Sequence, residues 1–285
     1  MSINSKNKFI IEGLTRFSKN KGAVIGLFFL FFLITISIFS DIILKHPPNK
    51  TNVGESFSSP GINWPFGTDN LGRDIFSDVI HGTRTSIKVG LFSIGVSTIF
   101  GIFIGTIAGY FGGIIDELLM RFTEFFLVLP QLLLALVLSS ILGSSLNNII
   151  LIIALLSWPS TARLLRSEFL YKKEASFVEA AKSIGMPEWK IAFSEILPNA
   201  LTPVVVNSSL QIARAILTEA GLSFLGLGDP NITSWGKMLS NARPFLRKAW
   251  WMAFFPGLAI FLTVLFLNIL GDGLNDMLNP RLREQ

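Results

Sequence analysis

Residues 125–162 read FFLVLPQLLLALVLSSILGSSLNNIILIIALLSWPSTA and contain no charged residue. A membrane-spanning helix needs about 20 mostly apolar residues, so this stretch is too long for one crossing. The polar segment Gly143-Ser144-Ser145, followed by Asn147-Asn148, interrupts it near the middle. The stretch therefore predicts two membrane-spanning helices joined by a short polar turn.

Four other stretches lack charge, and each is long enough to cross a membrane: 22–40, 89–115, 196–213 and 249–271. The first has too long an apolar run for a cleaved signal peptide and is interpreted as a retained helix. The predicted fold class is an all-α polytopic membrane protein with six transmembrane helices. These are expected near 22–44, 87–111, 118–142, 148–167, 200–225 and 250–274.

The composition agrees with a membrane protein, since 50% of the residues are hydrophobic and only 15% are charged. The absence of Cys excludes disulfides, thiol catalysis and Cys-ligated metal, and two His leave little for a histidine metal site. The net charge of +5 is interpreted as a bias of the cytoplasmic loops rather than as a nucleic-acid surface. No bound cofactor, metal or nucleic-acid partner is expected for this chain.

The distribution of Lys and Arg predicts the orientation. With both termini cytoplasmic, 14 of the 24 basic residues fall on the inner side and 9 on the outer side. This arrangement gives a cytoplasmic segment, a first helix, an extracytoplasmic loop, a core of five helices and a cytoplasmic tail. Their predicted ranges are 1–21, 22–44, 45–86, 87–275 and 276–285.

The inner loop at 168–199 carries the clearest local signals. Ser176 and Glu179 have the spacing of a capping box, with Ser176 as the N-cap. Gly185 suits the left-handed residue that ends a helix. A two-turn helix is therefore expected over 177–184. Such a helix is not stable alone in water and must pack on something. It is either a docking element or an ordinary connector lying on the membrane surface.

A second motif precedes the second predicted span. Residues 66–74 read FGTDNLGRD and predict a turn followed by an amphipathic helix capped by Asp69 or Asn70. This segment is either a docking surface for an extracellular protein or a plug that covers the outer vestibule or lies on lipid.

Glu179-Ala180-Ala181, Gly185 and Leu197-Pro198 resemble the EAA loop of ABC importer permeases. The family pattern has Ile where this sequence has Glu195, and the adjacent Ile196 resembles the variant spacing of peptide-type permeases. The resemblance implies that the loop forms a cytoplasmic coupling helix between spans 4 and 5. It also implies that Glu179, Ala180, Ala181 and Gly185 dock a cytoplasmic ATPase subunit.

The segment FGTDNLGRD and the segments 219–228, 234–236 and 270–274 resemble the peptide/nickel branch of that family, in particular its C-type subunit. The resemblance implies a multi-pass subunit of the cytoplasmic membrane with no ATPase site of its own. The partners it implies are a related B-type permease, ATP-binding subunits that use ATP and Mg, and an extracytoplasmic solute-binding protein. The cargo it implies is peptides or a related small solute, with nickel chelates as another class.

Two charged residues, Arg214 and Glu219, lie within the fifth predicted span. Charge inside a membrane is energetically expensive, so both are candidates for the substrate pathway. Their separation of five residues places them about 140° apart around a helix, so they are not expected to pair with each other. The alternatives are a salt bridge to a neighbouring helix for Arg214 and an outer-interface position for Glu219.

The second span has small residues at every fourth position: Ser93, Ser97, Gly101, Gly105, Gly109 and Gly113. Such a row allows close approach of two helices in lipid. It predicts either packing within this chain or a contact with a partner permease.

Two other function classes agree less well with the sequence. An ion-coupled secondary transporter would favour broken, charged helices in repeated halves, and no clear inverted repeat is visible. An intramembrane enzyme is disfavoured, because the H-E-x-x-H and G-x-S-x-G motifs are missing. The phosphate-binding motif G-x-x-x-x-G-K-[ST] is also missing, so ATP hydrolysis would need a partner subunit.

Overall fold

The computed structural model describes residues 15–44 and 46–278. Residues 1–14 and 279–285 of the predicted cytoplasmic segments lie outside these ranges. The described chain is built from helices and irregular loops. In chain order the helices are α1 (Lys21–Ile43), α2 (Ile75–Phe111), α3 (Gly113–Val128), α4 (Gln131–Leu142), α5 (Leu146–Lys173), α6 (Ser176–Ser183), α7 (Glu188–Phe224), α8 (Trp235–Ala242) and α9 (Trp251–Leu278).

Five of these helices, α1, α2, α5, α7 and α9, are long and apolar enough to cross a membrane. The α3 and α4 helices pass the same test together, but the chain bends by 88° between them. A single continuous helix over 118–142 is therefore wrong. Pro130 lacks an amide hydrogen and biases the preceding residue away from helical geometry, and Leu129 is extended with φ −75° and ψ 137°. Six crossings require that the bent pair crosses as one broken span.

The second predicted span and the amphipathic segment before it form one helix, α2, which begins at Ile75 rather than near residue 87. Its N-cap is Asp74, not Asp69 or Asn70. The Asp74 carboxylate accepts hydrogen bonds from the Phe76 amide at 3.1 Å and the Ser77 hydroxyl at 2.6 Å. A helix of 37 residues is about 55 Å long, so its first turns extend beyond a hydrocarbon layer of about 30 Å.

The row of small residues in α2 packs against α5 of the same chain. A Cβ atom at Gly101 would lie 2.7 Å from Thr161 Cβ, and one at Gly109 would lie 2.8 Å from the Phe169 side chain. Since these glycines are covered internally, they do not provide a contact with a partner permease. Gly113, the last member of the row, has no neighbour within 4 Å of its Cβ position.

Two buried tryptophans connect the outer loops to the helices. The Trp235 indole of α8 donates to the Val79 carbonyl of α2 at 2.9 Å, and the Trp251 indole of α9 donates to the Thr68 carbonyl at 3.1 Å. Around them lies a hydrophobic cluster of the core, which includes Ile216 of α7. The segment that contains Thr68 and the helix α8 are therefore structured parts of the fold.

Candidate functional site

The short helix of the inner loop, α6, spans Ser176–Ser183, one residue earlier than predicted at each end. Its N-cap is Ala175, which makes no side-chain capping bond. The prediction of Ser176 as the N-cap is therefore wrong, because Ser176 is already the first helical residue. The Glu179 carbonyl oxygen accepts a hydrogen bond from the Ser183 hydroxyl at 2.9 Å within the helix.

The C-terminal end of α6 confirms the role of Gly185 in ending the helix. Gly185 has φ +75°, and its amide donates to the Lys182 carbonyl at 2.9 Å. The next amide, that of Met186, donates to the Ala181 carbonyl at 3.1 Å. This pair of bonds is a Schellman motif, in which a left-handed glycine satisfies the last carbonyls of a helix.

One side of α6 is anchored on the rest of the chain. Val178 and Ala181 are buried and belong to a cluster with Phe169 of α5 and with Ile191 and Ile196 of α7. Ala181, predicted to dock a partner, therefore contacts its own chain. This packing explains how so short a helix is held, since helices of two turns are not stable by themselves.

The other side of α6 is open. Glu179, Ala180 and Gly185 are exposed, and a Cβ atom at Gly185 would meet nothing within 4 Å. Two large apolar side chains lie close to them in the sequence and are also exposed, Ile184 at 77% and Trp189 at 60%. The structure thus brings three of the four predicted docking residues onto one open surface that carries apolar groups.

Arg214 lies on an exposed face of α7, where Leu217 is also exposed. Among residues 15–44 and 46–278, its guanidinium makes no ion pair and no hydrogen bond. The alternative of a salt bridge to another helix of this chain is therefore not realised. The Arg214 backbone carbonyl accepts a bond from the Thr218 hydroxyl at 2.9 Å.

Glu219 lies in a different environment and is only 1% exposed. Its Oε1 atom accepts a 2.6 Å hydrogen bond from the Ser223 hydroxyl one turn later, and its Oε2 atom has no partner in the described chain. The neighbouring Ala220 packs tightly against α8, where a Cβ atom at Gly236 would lie 2.4 Å from the Ala220 carbonyl oxygen. Glu219 is thus enclosed between helices.

The FGTDNLGRD motif forms a compact loop that is joined to α9 by the Trp251–Thr68 hydrogen bond. The Asp69 carboxylate accepts bonds from the Leu71 and Arg73 amides, both at 2.8 Å. Lys237 of α8 lines a small pocket beside Asp69 and Arg73, where burial and the nearby Arg73 charge lower the pKa of Lys237. No group of His, Asp or Glu side chains in the described chain is arranged to hold a metal ion.

An ion pair that the sequence did not reveal joins α3 to α5. Arg166 Nε donates to the Asp116 carboxylate at 3.0 and 3.2 Å, and Arg166 Nη2 also donates to it. The two residues are 50 positions apart, so local spacing gives no signal for the pair. It lies in a cleft of about 390 Å³ that also contains Glu124 and Arg163.

Comparison with known families supports the interpretation of the motifs. The family described as the binding-protein-dependent transport system inner membrane component matches residues 101–284, more than half of the chain. The N-terminal transmembrane domain of oligopeptide transport permease C matches residues 9–60. The two matches follow each other along the sequence and together cover most of it.

Individual relatives match over almost the full length. A dipeptide transport system permease protein from Alkalihalophilus pseudofirmus is 41% identical, with 95% of this chain and 90% of the relative covered. A glutathione transport system permease protein from Pectobacterium atrosepticum is 39% identical over 94% of this chain and 90% of the relative. A dipeptide transport system permease protein from Haemophilus influenzae is 40% identical over 94% of this chain and 93% of the relative.

These matches confirm the predicted ABC importer permease resemblance and agree with the apolar helices of the fold. The chain is a multi-pass inner-membrane transport subunit, and it belongs to the family of binding-protein-dependent transport system inner membrane components.

Proposed function

We propose that this permease moves peptides through an ATP-driven ABC importer. The cargo is inferred from relatives named for dipeptides and glutathione. The relatives described above give no support for nickel chelates, and the family gives none for an ion-coupled transporter. Peptide transport is therefore the function that the sequence and the family favour together.

The observation that carries the proposal is the two-sided character of α6. Val178 and Ala181 fix the helix to its own chain, while Glu179, Ala180 and Gly185 remain open beside exposed Ile184. A helix anchored on one side can transmit a movement of a partner to α5 and α7, on which it packs. We propose that this open surface binds a cytoplasmic ATPase subunit.

The proposed topology has both termini in the cytoplasm, with α3 and α4 crossing as one broken span. The Lys and Arg distribution supports this orientation. It puts α6 on the cytoplasmic side and the FGTDNLGRD loop on the outer side, where it is available to a solute-binding protein. The second permease would be a B-type subunit, and ATP and Mg would be used by the ATPase subunits only.

Arg214 is proposed to face the translocation pathway between the two permeases. An exposed, unpaired guanidinium about 21 Å along the helix from Ala200 is unfavourable against lipid, so water, substrate or a partner must solvate it. Glu219 is proposed as a positioning residue near the pathway, because its carboxyl is buried and accepts a hydrogen bond from the Ser223 hydroxyl one turn further along α7.

The proposed function is tested with the complete complex in liposomes. Peptide uptake should require ATP and the binding protein and should persist after ionophores collapse the ion gradients. Uptake that depends on an ion gradient but not on ATP would contradict the proposal. The topology is tested separately with Ser58→Cys, since the chain has no other Cys. The variant should react with an impermeant thiol reagent from the outer side only.

A further inference from the structure

The cleft between α3 and α5 contains six charged side chains. Three are acidic and three are basic, and Gly113, Met120 and Thr123 complete its lining. The charged residues are Asp116, Glu117, Arg121, Glu124, Arg163 and Arg166. The cleft volume of about 390 Å³ is within the range of pockets that bind small molecules.

Four of these charges are already paired within the cleft. Arg166 binds the Asp116 carboxylate, and Arg121 donates to Glu117 Oε1 at 2.8 and 3.2 Å. Glu124 and Arg163 are exposed and have no hydrogen-bond or ion-pair partner in the described chain. One negative and one positive group are therefore left open in the same cleft.

The positions of these two groups within apolar helices favour a cleft that contains water. Glu124 lies about 16 Å along α3 from Gly113, and Arg163 lies about 15 Å along α5 from Lys173. In the proposed topology both starting points are at the inner end of the membrane. Unpaired charges within membrane-spanning segments are unfavourable against lipid and are found where helices line aqueous cavities.

We propose that this cleft is the inner part of the peptide pathway and that it holds a zwitterionic peptide between Arg163 and Glu124. The inference rests on the proposed function and specifies its substrate contacts. The peptide carboxylate would accept hydrogen bonds from the Arg163 guanidinium, and the peptide ammonium would donate to the Glu124 carboxylate. The acidic and basic charges of the cleft balance, which favours a zwitterion over a polyanion or a metal cation.

The direct test is peptide protection of cysteines in the assembled complex. Arg163→Cys and Glu124→Cys should each react with an impermeant thiol reagent added from the inner side, whereas Phe125→Cys, which is outside the cleft lining, should not. A peptide with free termini, added to the inner side, should slow each reaction by about tenfold once it is bound to most of the complexes. The same peptide with acetylated and amidated ends should not.

Charge variants provide a second readout. Arg163→Gln should reduce ATP-driven uptake by about tenfold, and Arg163→Lys should retain most of it because the charge is kept. Lys172→Gln is the control on the same helix, since Lys172 pairs with Glu168 outside the cleft. The exchange of both charges, Arg163→Glu with Glu124→Arg, should transport better than either single reversal.

The outcomes separate the inference from the proposed function. No ATP-driven uptake by the unmodified complex would contradict both. Normal uptake by the unmodified complex would overturn the inference alone if the cysteines were labelled equally fast with the free-ended and the end-blocked peptide. Slower labelling of the cysteines that depends on phosphatidylethanolamine in the bilayer rather than on peptide would assign the cleft to a lipid headgroup. This result would also overturn the inference.

Discussion

Gly105 of α2 lies directly against the Ala162 carbonyl of α5, so that a Cβ atom at position 105 would sit 2.6 Å from that oxygen. The same side of α2 contributes Gly101 and Gly109 to this contact, and together they bring the two long helices close over about two turns. Since α5 leads into α6, this contact supports the helix that carries the candidate docking surface.

The contact predicts that Gly105→Val is strongly destabilising. Overpacking a tight contact typically costs about 1–3 kcal/mol, and here the obstructing atom is backbone and cannot move aside. The variant should lower the unfolding temperature of the purified complex. Gly95→Val on the same helix is the control, because nothing lies within 4 Å of its Cβ position. Equal stability of the two variants would contradict the packing described here.

The Asp116–Arg166 pair is expected to stabilise the α3–α5 arrangement. Asp116→Asn removes a charge that is only 12% exposed and should cost about 1.5–3 kcal/mol, the range for hydrogen bonds to charged groups. Glu117→Gln affects a pair that is 62% and 73% exposed and should cost about 0–1 kcal/mol. Thermal unfolding of both variants measures the difference. A larger loss of stability in Glu117→Gln than in Asp116→Asn would contradict the expected contribution of the Asp116–Arg166 pair.

The adjacent residues Trp250 and Trp251 are expected to differ in how much they stabilise the FGTDNLGRD loop. Trp251→Phe removes the hydrogen bond to the Thr68 carbonyl, worth about 1 kcal/mol, and should loosen the FGTDNLGRD loop. Hydrogen exchange of residues 66–74 should then become faster. Trp250 is 55% exposed, so Trp250→Phe should leave exchange in this loop unchanged. Identical exchange in the two variants would contradict the anchoring role of Trp251.

Arg214→Leu is predicted to reduce peptide uptake by about tenfold, because the open guanidinium is proposed to face the pathway. Arg214→Lys should retain part of the activity. Leu217→Ala alters the same exposed face without a charge and serves as the control. Uptake by the reconstituted complex is the measurement. Normal uptake by Arg214→Leu, with normal yield of the complex, would remove Arg214 from the pathway.

Hydropathy located the long helices well but could not identify the break at Pro130. Pro159, Pro203 and Pro256 lie inside continuous helices, so a proline in an apolar stretch does not by itself indicate a bend. The sequence also predicts too late a start for α2. The charged residues at its beginning are typical of a loop. The helix nevertheless starts after its cap at Asp74 and is longer than a hydrocarbon layer is thick.

The candidate site was partly predictable because its signals are local. The left-handed Gly185 follows from helix-ending chemistry within a few residues, and the structure has it at φ +75°. The burial of Ala181 depends on how α6 packs against α5 and α7, and the Asp116–Arg166 pair joins residues that are 50 positions apart. No periodicity or spacing around these residues could have identified their partners.

Gly185→Val tests whether the open side of α6 binds the ATPase. A non-glycine residue in the left-handed conformation costs roughly 1–2 kcal/mol, and its side chain would project into the open surface. Gly143→Val is the matched control, since Gly143 also has positive φ and open surroundings but lies in the turn between α4 and α5. The measurement is the amount of ATPase subunit that co-purifies with each variant from the membrane. We expect Gly185→Val to lose most of the ATPase and Gly143→Val to keep it. Full ATPase recovery with Gly185→Val would contradict this expectation.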